Sequence, residues 1–299
     1  MKTGGDILIP GSFDYVRATS VPEAVALLAQ YGDDAKLLAG GHSLIPLLRY
    51  RLAAPTVLID INRISGLEYI QESNGMLYIG ALTREAELDS SPLIRERYPI
   101  LYETAKNIAD PVVRNWATVG GNIAHADPAN DHPATMLALG ASFVVQGPAG
   151  ERVIPAHEFF TDVTFETTLQ AGEILTEIRV PAPTDASGGA YFKLERKVGD
   201  YAIAGVAVYI SLDAAGLVTY AGIGLTNVGP APIKARAAEQ ALLGQPLDAQ
   251  SILRAADLAA AASQPSSDTR GPAEYKRAMV HTLTSRALHK ARARATGGA

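Results

Sequence analysis

Stretches in which apolar residues recur every three to four positions take turns along this chain with stretches in which they recur every second position or run together, predicting helices and strands in mixed order. The first helical stretch is announced by Ser20, Pro22 and Glu23, carries Ala24, Leu27 and Leu28 on one face, and closes at Gly32. Lys36 to Ala39 reads as a short strand running into Gly40-Gly41. Leu44, Leu47, Leu48 and Leu52 then share related faces of a helix-like stretch, and Val57 to Ile61 reads as a buried strand. Ser73-Asn74-Gly75 is a hairpin turn into the strand Met76 to Ile79. A helical segment runs from Ile94 to Ile108 and stops before Pro111. Pro133 opens a short apolar helix ending at Gly140, and Ser142 to Gln146 and Ile174 to Val180 read as strands.

The Pro-, Ser- and Gly-rich break over 181–189 marks a boundary. Beyond it, Tyr191 to Lys197, Ile203 to Leu212 and Leu217 to Leu225 read as strands, with Asp213-Ala214-Ala215-Gly216 as the turn between the last two. Helices are expected near 234–243, 248–262 and 272–292, giving a three-stranded antiparallel sheet packed by helices. The basic tail from Lys290 reads as a frayed helix end with favourable charge. The expected division is an N-terminal α/β part at 1–61, a middle part at 62–180 and a C-terminal α+β domain at 181–299.

Composition narrows the function. The chain has 299 residues, 47% of them hydrophobic and 19% charged, as in an ordinary globular protein. A net charge of −5 argues against nucleic acid as a partner. There is no cysteine, so this chain offers no thiolate nucleophile, no disulfide and no Cys-ligated zinc or iron–sulfur cluster. The start, MKTGGDILIPGSFDY, lacks the apolar core of a leader peptide, and the strongly apolar run Ala202 to Leu212 is too short to span a bilayer as a helix.

Two double-glycine segments, about eighty residues apart, carry the candidate chemistry: Leu37-Leu38-Ala39-Gly40-Gly41-His42-Ser43 and Thr118-Val119-Gly120-Gly121-Asn122. Each follows an apolar or β-prone stretch and leads toward a helix-like one. Glycine reaches positive φ and removes the side chain that would keep a phosphate from the main chain. A following helix adds a positive dipole end. His42 and Ser43 on one side, and Thr118 and Asn122 on the other, add side-chain donors. Brought together, the two segments would hold a diphosphate from both sides; each alone is equally a tight turn. Neither G-x-G-x-x-G after the first strand nor G-x-x-x-x-G-K-[ST] is present, so a dinucleotide here requires another fold.

The segments AGGHSLIPLL, TVGGNIAHADPANDHPA, KVGDYA, IGLTNV and SDTRGPAEYKR resemble the FAD-binding subunits of the molybdenum hydroxylase family, most closely its aerobic carbon monoxide dehydrogenase branch, over nearly the whole chain. The resemblance implies an α+β fold. A two-part FAD-binding domain of the vanillyl-alcohol-oxidase type would precede the C-terminal domain. It implies that FAD lies between the first two parts. Ala39, Gly40, Gly41, His42 and Ser43 would grip its diphosphate from one side and Thr118, Val119, Gly120, Gly121 and Asn122 from the other, mainly through backbone N–H groups. Asp131 would orient the cofactor, although Asp at a helix start needs no such role. Lys193 would place positive charge near the flavin, where a solvated edge lysine is the plainer reading. Tyr201 would cover a face of the ring and move aside for an oxidant. Trp116 reads as core beneath the second glycine segment. His125, Asp127, Asp131 and His132 are metal-compatible types, but Pro128 and Pro133 interrupt them, and no metal is expected.

By the same resemblance the chain holds FAD and has no substrate-oxidising residues of its own. The molybdenum cofactor would sit on a large partner subunit and two [2Fe–2S] clusters on a small one, in a dimer of heterotrimers. The complex would be cytoplasmic, with room for peripheral association at the inner face of the membrane through the electron acceptor. Two other readings stay open: the flavin subunit of an N-heterocycle or xanthine-type hydroxylase, and a self-contained FAD oxidoreductase.

Overall fold

The structure is a computed structural model that describes residues 9–298; the first eight residues, where the start without a leader-type core was read, and the final residue of the basic tail lie outside it. Three sheets follow one another along the chain. The first is parallel, with Val57–Asp60 between Asp14–Arg17 and Ala35–Leu38. Its helix Val21–Tyr31 begins where the sequence places it: the Ser20 hydroxyl accepts the Glu23 N–H, and Gly32 ends the helix at φ 55°.

The second sheet has five antiparallel strands in the order Ile70–Ser73, Met76–Gly80, Ile174–Pro181, Ser142–Gly147 and Gly150–Pro155. The hairpin at its edge turns through Asn74 and Gly75, both at positive φ, as a two-residue turn of matching twist requires. The helical segment expected over 94–108 is instead two helices, Pro92–Arg97 and Pro99–Asn107. Pro99 has no N–H for a continuous ladder and starts a new helix at its first position. Pro111–Arg114 adds a further short turn.

The third sheet contains the three strands expected after the break, now Ser187–Leu194, Ala204–Leu212 and Val218–Thr226, all antiparallel. The two-residue strand Ile233–Lys234 extends it beyond the pattern's reach. The helices Arg236–Leu242, Ala249–Ala262 and Ala273–Ala295 cover it. The tail is docked rather than frayed. Ala291 and Ala295 are buried in this core, and Arg294 donates to Glu103. Burial would raise the Glu103 carboxyl, but hydrogen bonds from Arg294, Lys290 and the Tyr191 N–H hold it below the ordinary value.

One element joins the second and third sheets. Every residue of the helix Asp131–Leu139 is buried. It lies directly on the strand Val218–Thr226, where a Cβ at Gly222 would fall 1.8 Å from the Ala138 carbonyl oxygen and one at Gly224 2.0 Å from that of Ala134. Only glycine permits that approach, and it fixes where the start of this helix points.

Candidate functional site

A cleft of about 740 Å3 runs between the parallel sheet, the second sheet and the loop after Leu194, within the range of small-molecule and cofactor sites. It brings together Ala39, Gly40, Gly41, His42, Ser43, Thr118, Gly120, Gly121, Asn122, Asp131, Lys193 and Tyr201. Of the expected residues only Val119 is missing from its wall. That side chain is fully buried in the middle core.

The two glycine segments differ in what their main chain does. Among the described residues, the N–H groups of Gly40, Gly41, His42 and Ser43 donate to no protein acceptor. Gly41 stands at φ 76°, and a left-handed residue within a turn points successive N–H groups the same way. The His42 imidazole Nδ1 lies 2.8 Å from the Gly40 carbonyl and braces the turn. Converging main-chain donors of this kind suit an anion.

The second segment is not a free turn. It is the first turn of the helix Val119–His125, capped by Thr118, whose hydroxyl accepts the Gly121 N–H at 3.2 Å. The Val119 N–H donates to the Thr83 carbonyl at 3.0 Å, and the Gly120 N–H to that of Ala81 at 2.9 Å. The N–H groups of Val119, Gly120, Gly121 and Asn122 are therefore taken up within the fold. Beside the Thr118 N–H, the segment offers the cleft the side chain of Asn122. Its side-chain oxygen is buried with no partner among the described residues, and it lines the cleft.

The glycines themselves also serve contacts other than a phosphate. A Cβ on Gly40 would fall 2.3 Å from the Trp116 carbonyl oxygen, and one on Gly120 2.6 Å from that of Ala81. Gly40 thus lets the first segment close against the approach to the second. Two residues that sequence reasoning missed clasp the pair. Asn62 donates to the Ala39 carbonyl at 2.9 Å, and Arg84 donates to the Asn62 side-chain oxygen and to the Trp116 carbonyl, both at 2.8 Å. Each is a lone polar residue without a motif, so no local signal marks it. Trp116 is not core: it is 60% exposed, with the Arg84 guanidinium over its ring.

At the far end, strand alternation aims Tyr191 and Lys193 at the start of the all-buried helix, while Phe192 and Leu194 face the opposite core. The Lys193 ammonium, 2% exposed, donates to Asp131 at 3.0 Å and to the Asn107 carbonyl at 2.8 Å. It is no solvated edge lysine. The Tyr191 hydroxyl donates to the other Asp131 oxygen. Burial pushes the Asp131 carboxyl above its ordinary value, and the Lys193 charge opposes this. Asp131 does not cap its helix; its oxygens face strand residues instead. His132, the next residue, turns away from the cleft to a buried contact with Glu85 at 2.7 Å. Tyr201 stands at the mouth, 46% exposed.

Residues 11–183 match the family described as FAD binding domain in molybdopterin dehydrogenase, and residues 189–291 match the CO dehydrogenase flavoprotein C-terminal domain. The chain belongs to this flavoprotein family. It is 48% identical to the carbon monoxide dehydrogenase medium chain of Hydrogenophaga pseudoflava, over 96% of this chain and 99% of that one. It superposes with a TM-score of 0.93 and 51% identity on the structure of carbon monoxide dehydrogenase from the same organism lacking the Mo-pyranopterin moiety, covering 96% and 99% of the two chains. Quinoline 2-oxidoreductase from Pseudomonas putida 86 is also similar, with a TM-score of 0.87 and 33% identity over 96% and 98%. FAD is the cofactor of the family. The residues present fit it: free N–H groups suit a diphosphate, the unpartnered Asn122 amide oxygen suits a hydroxyl or N–H donor of the cofactor, and a buried cation lies at the other end of the same cleft.

Proposed function

We propose that this chain is the FAD-bearing electron-transfer subunit of a heteromeric molybdenum hydroxylase that oxidises carbon monoxide. The observation that carries the reading is the pairing, within one cleft, of the open N–H wall at Gly40–Ser43 with the buried Lys193–Asp131 pair. Bound there, FAD accepts electrons singly and releases them in pairs. The chain's own residues do the holding. Gly40, Gly41, His42 and Ser43 present main-chain donors to the diphosphate, and the Asn122 side chain would meet the cofactor across the cleft, its NH2 donating and its oxygen accepting. Asp131 fixes Lys193, whose positive charge favours negative charge on the adjoining ring. Tyr201 covers the mouth.

With no cysteine on this chain, the iron–sulfur clusters that supply electrons belong to a small partner subunit and the molybdenum site to a large one. The assembly is a dimer of heterotrimers in the cytoplasm, reaching the membrane through its electron acceptor; no helix among the described residues is long and apolar enough to cross one. The three sheets support a division of the chain at 1–61, 62–180 and 181–299. Co-purification from the native source tests the reading. It predicts bound FAD, two partner chains, and molybdenum and iron in the complex. A flavin-free chain without partners would refute it. The likeness to quinoline 2-oxidoreductase favours one second reading, an N-heterocycle hydroxylase, which the same complex decides when assayed on carbon monoxide and on quinoline.

A further inference from the structure

The loop that carries Tyr201 is loosely tied. Its own main-chain bonding is one turn, the Asp200 N–H to the Lys197 carbonyl at 3.1 Å, before the strands close at Ile203. Val198 beside it is 94% exposed. Against this loop packs Arg270, from the segment before the long C-terminal helix. Its guanidinium lies 5.7 Å from the centre of the Tyr201 ring and donates to Asp200 at 3.3 Å. The base of Arg270 is firm. Asp268 accepts the Arg270 and Gly271 N–H groups at 2.8 and 3.2 Å, and is itself held at 2.7 Å by Lys276, which is 2% exposed on the long C-terminal helix. The Arg270 Nε is buried without a partner among the described residues, so the guanidinium has bonding capacity left over while its plane serves the tyrosine. A cation over an aromatic face, anchored on a rigid turn, opposes departure of the ring.

We propose that Arg270 is a positioning residue that holds Tyr201 across the mouth of the cleft and so sets how far solvent and an external oxidant reach the flavin. This rests on the placement of the flavin beneath Tyr201. Arg270 belongs to the same C-terminal part of the chain as Lys193 and Tyr201, which line the cleft. The Arg196 contact to Asp200, at 3.2 Å on an exposed side chain, is the weaker tie.

The test is iodide quenching of flavin fluorescence in the full chain loaded with FAD. Arg270→Gln should raise the quenching constant about two- to fivefold, the factor a partly exposed cation–π contact commands, with FAD content per chain unchanged. Arg270→Lys, which keeps the charge but not the planar face, should fall between. Asp200→Asn loosens the same latch from the other side and must also raise the constant, so a poorly folding Arg270 variant does not shield the proposal. Tyr201→Ala separates the two layers of inference. If it raises quenching while Arg270→Gln and Asp200→Asn stay at the parent value, the latch is wrong. If Tyr201→Ala itself changes nothing, the placement of the flavin beneath Tyr201 is wrong and the latch falls with it.

Discussion

At Gly40-Gly41 the main chain keeps its N–H groups free for a guest; at Gly120-Gly121 it gives them to the Ala81 carbonyl and the Thr118 hydroxyl of its own fold. The sequence signature is nearly the same. The difference lies in what stands behind each pair. The first follows a short strand of a small parallel sheet and turns through a left-handed glycine with nothing to pair with. The second is a helix start backed by the Ala81–Thr83 segment, which takes the N–H groups of Val119 and Gly120 before any ligand can. On the proposed reading, one pair is therefore a binding element and the other a packing element that delivers Asn122 to the cleft.

The largest effect that could break this comparison is on folding. Gly120→Ala pushes a Cβ into the backbone of Ala81 at a fully packed site and should cost about 3 kcal/mol or more of stability, seen as a lower melting temperature with and without FAD. An unchanged melting temperature would place Gly120 beside open space. Next is Gly41→Ala. Strain at positive φ should cost about 1–2 kcal/mol, and displacing Ile45, whose Cδ1 would lie 2.7 Å from the new Cβ, disturbs the turn. FAD titration should show affinity lost well beyond the change in apo stability. Asn122→Ala should weaken FAD about tenfold with little change in apo melting, the worth of one hydrogen bond donated by its side-chain NH2 to a charged group. Equal affinity would leave the second segment with no direct role.

The smallest effect is a pH dependence confined to the second side. Burial holds the His125 imidazole below its ordinary value, with Asp127 opposing. A lowered folded-state value means its contribution is present above the unfolded value, about 6.5, and is lost as pH falls through the folded value. Apo stability between pH 7 and 5 should therefore decline less in His125→Gln than in the parent, measured by denaturant melts. An identical decline would clear His125 of the effect.

Much of this architecture was legible because it rests on local chemistry. The Ser20 cap, the Asn74-Gly75 hairpin and the three C-terminal strands each declare themselves within a few residues. The segments that line the cleft were named through family resemblance, which locates a segment but not the partners of its N–H groups. What escaped was long-range. Nothing near Gly120 tells that Ala81 waits behind it, nothing near Asn62 or Arg84 tells that they clasp two distant loops, and a lone Trp116 looks like core until its position is known. The break at Pro99 was local, yet the apolar periodicity runs through it and hides the proline's cost to the ladder.

Amide hydrogen exchange on the full chain, read at the two glycine segments with and without FAD, tests the central claim most directly. The N–H groups of Gly40, Gly41, His42 and Ser43 should exchange fast in the apo chain and slow by about a hundredfold or more with FAD, while those of Val119 and Gly120 stay protected in both. If FAD leaves Gly40 to Ser43 unchanged and protects Gly120 and Gly121 instead, the roles assigned to the two segments are reversed.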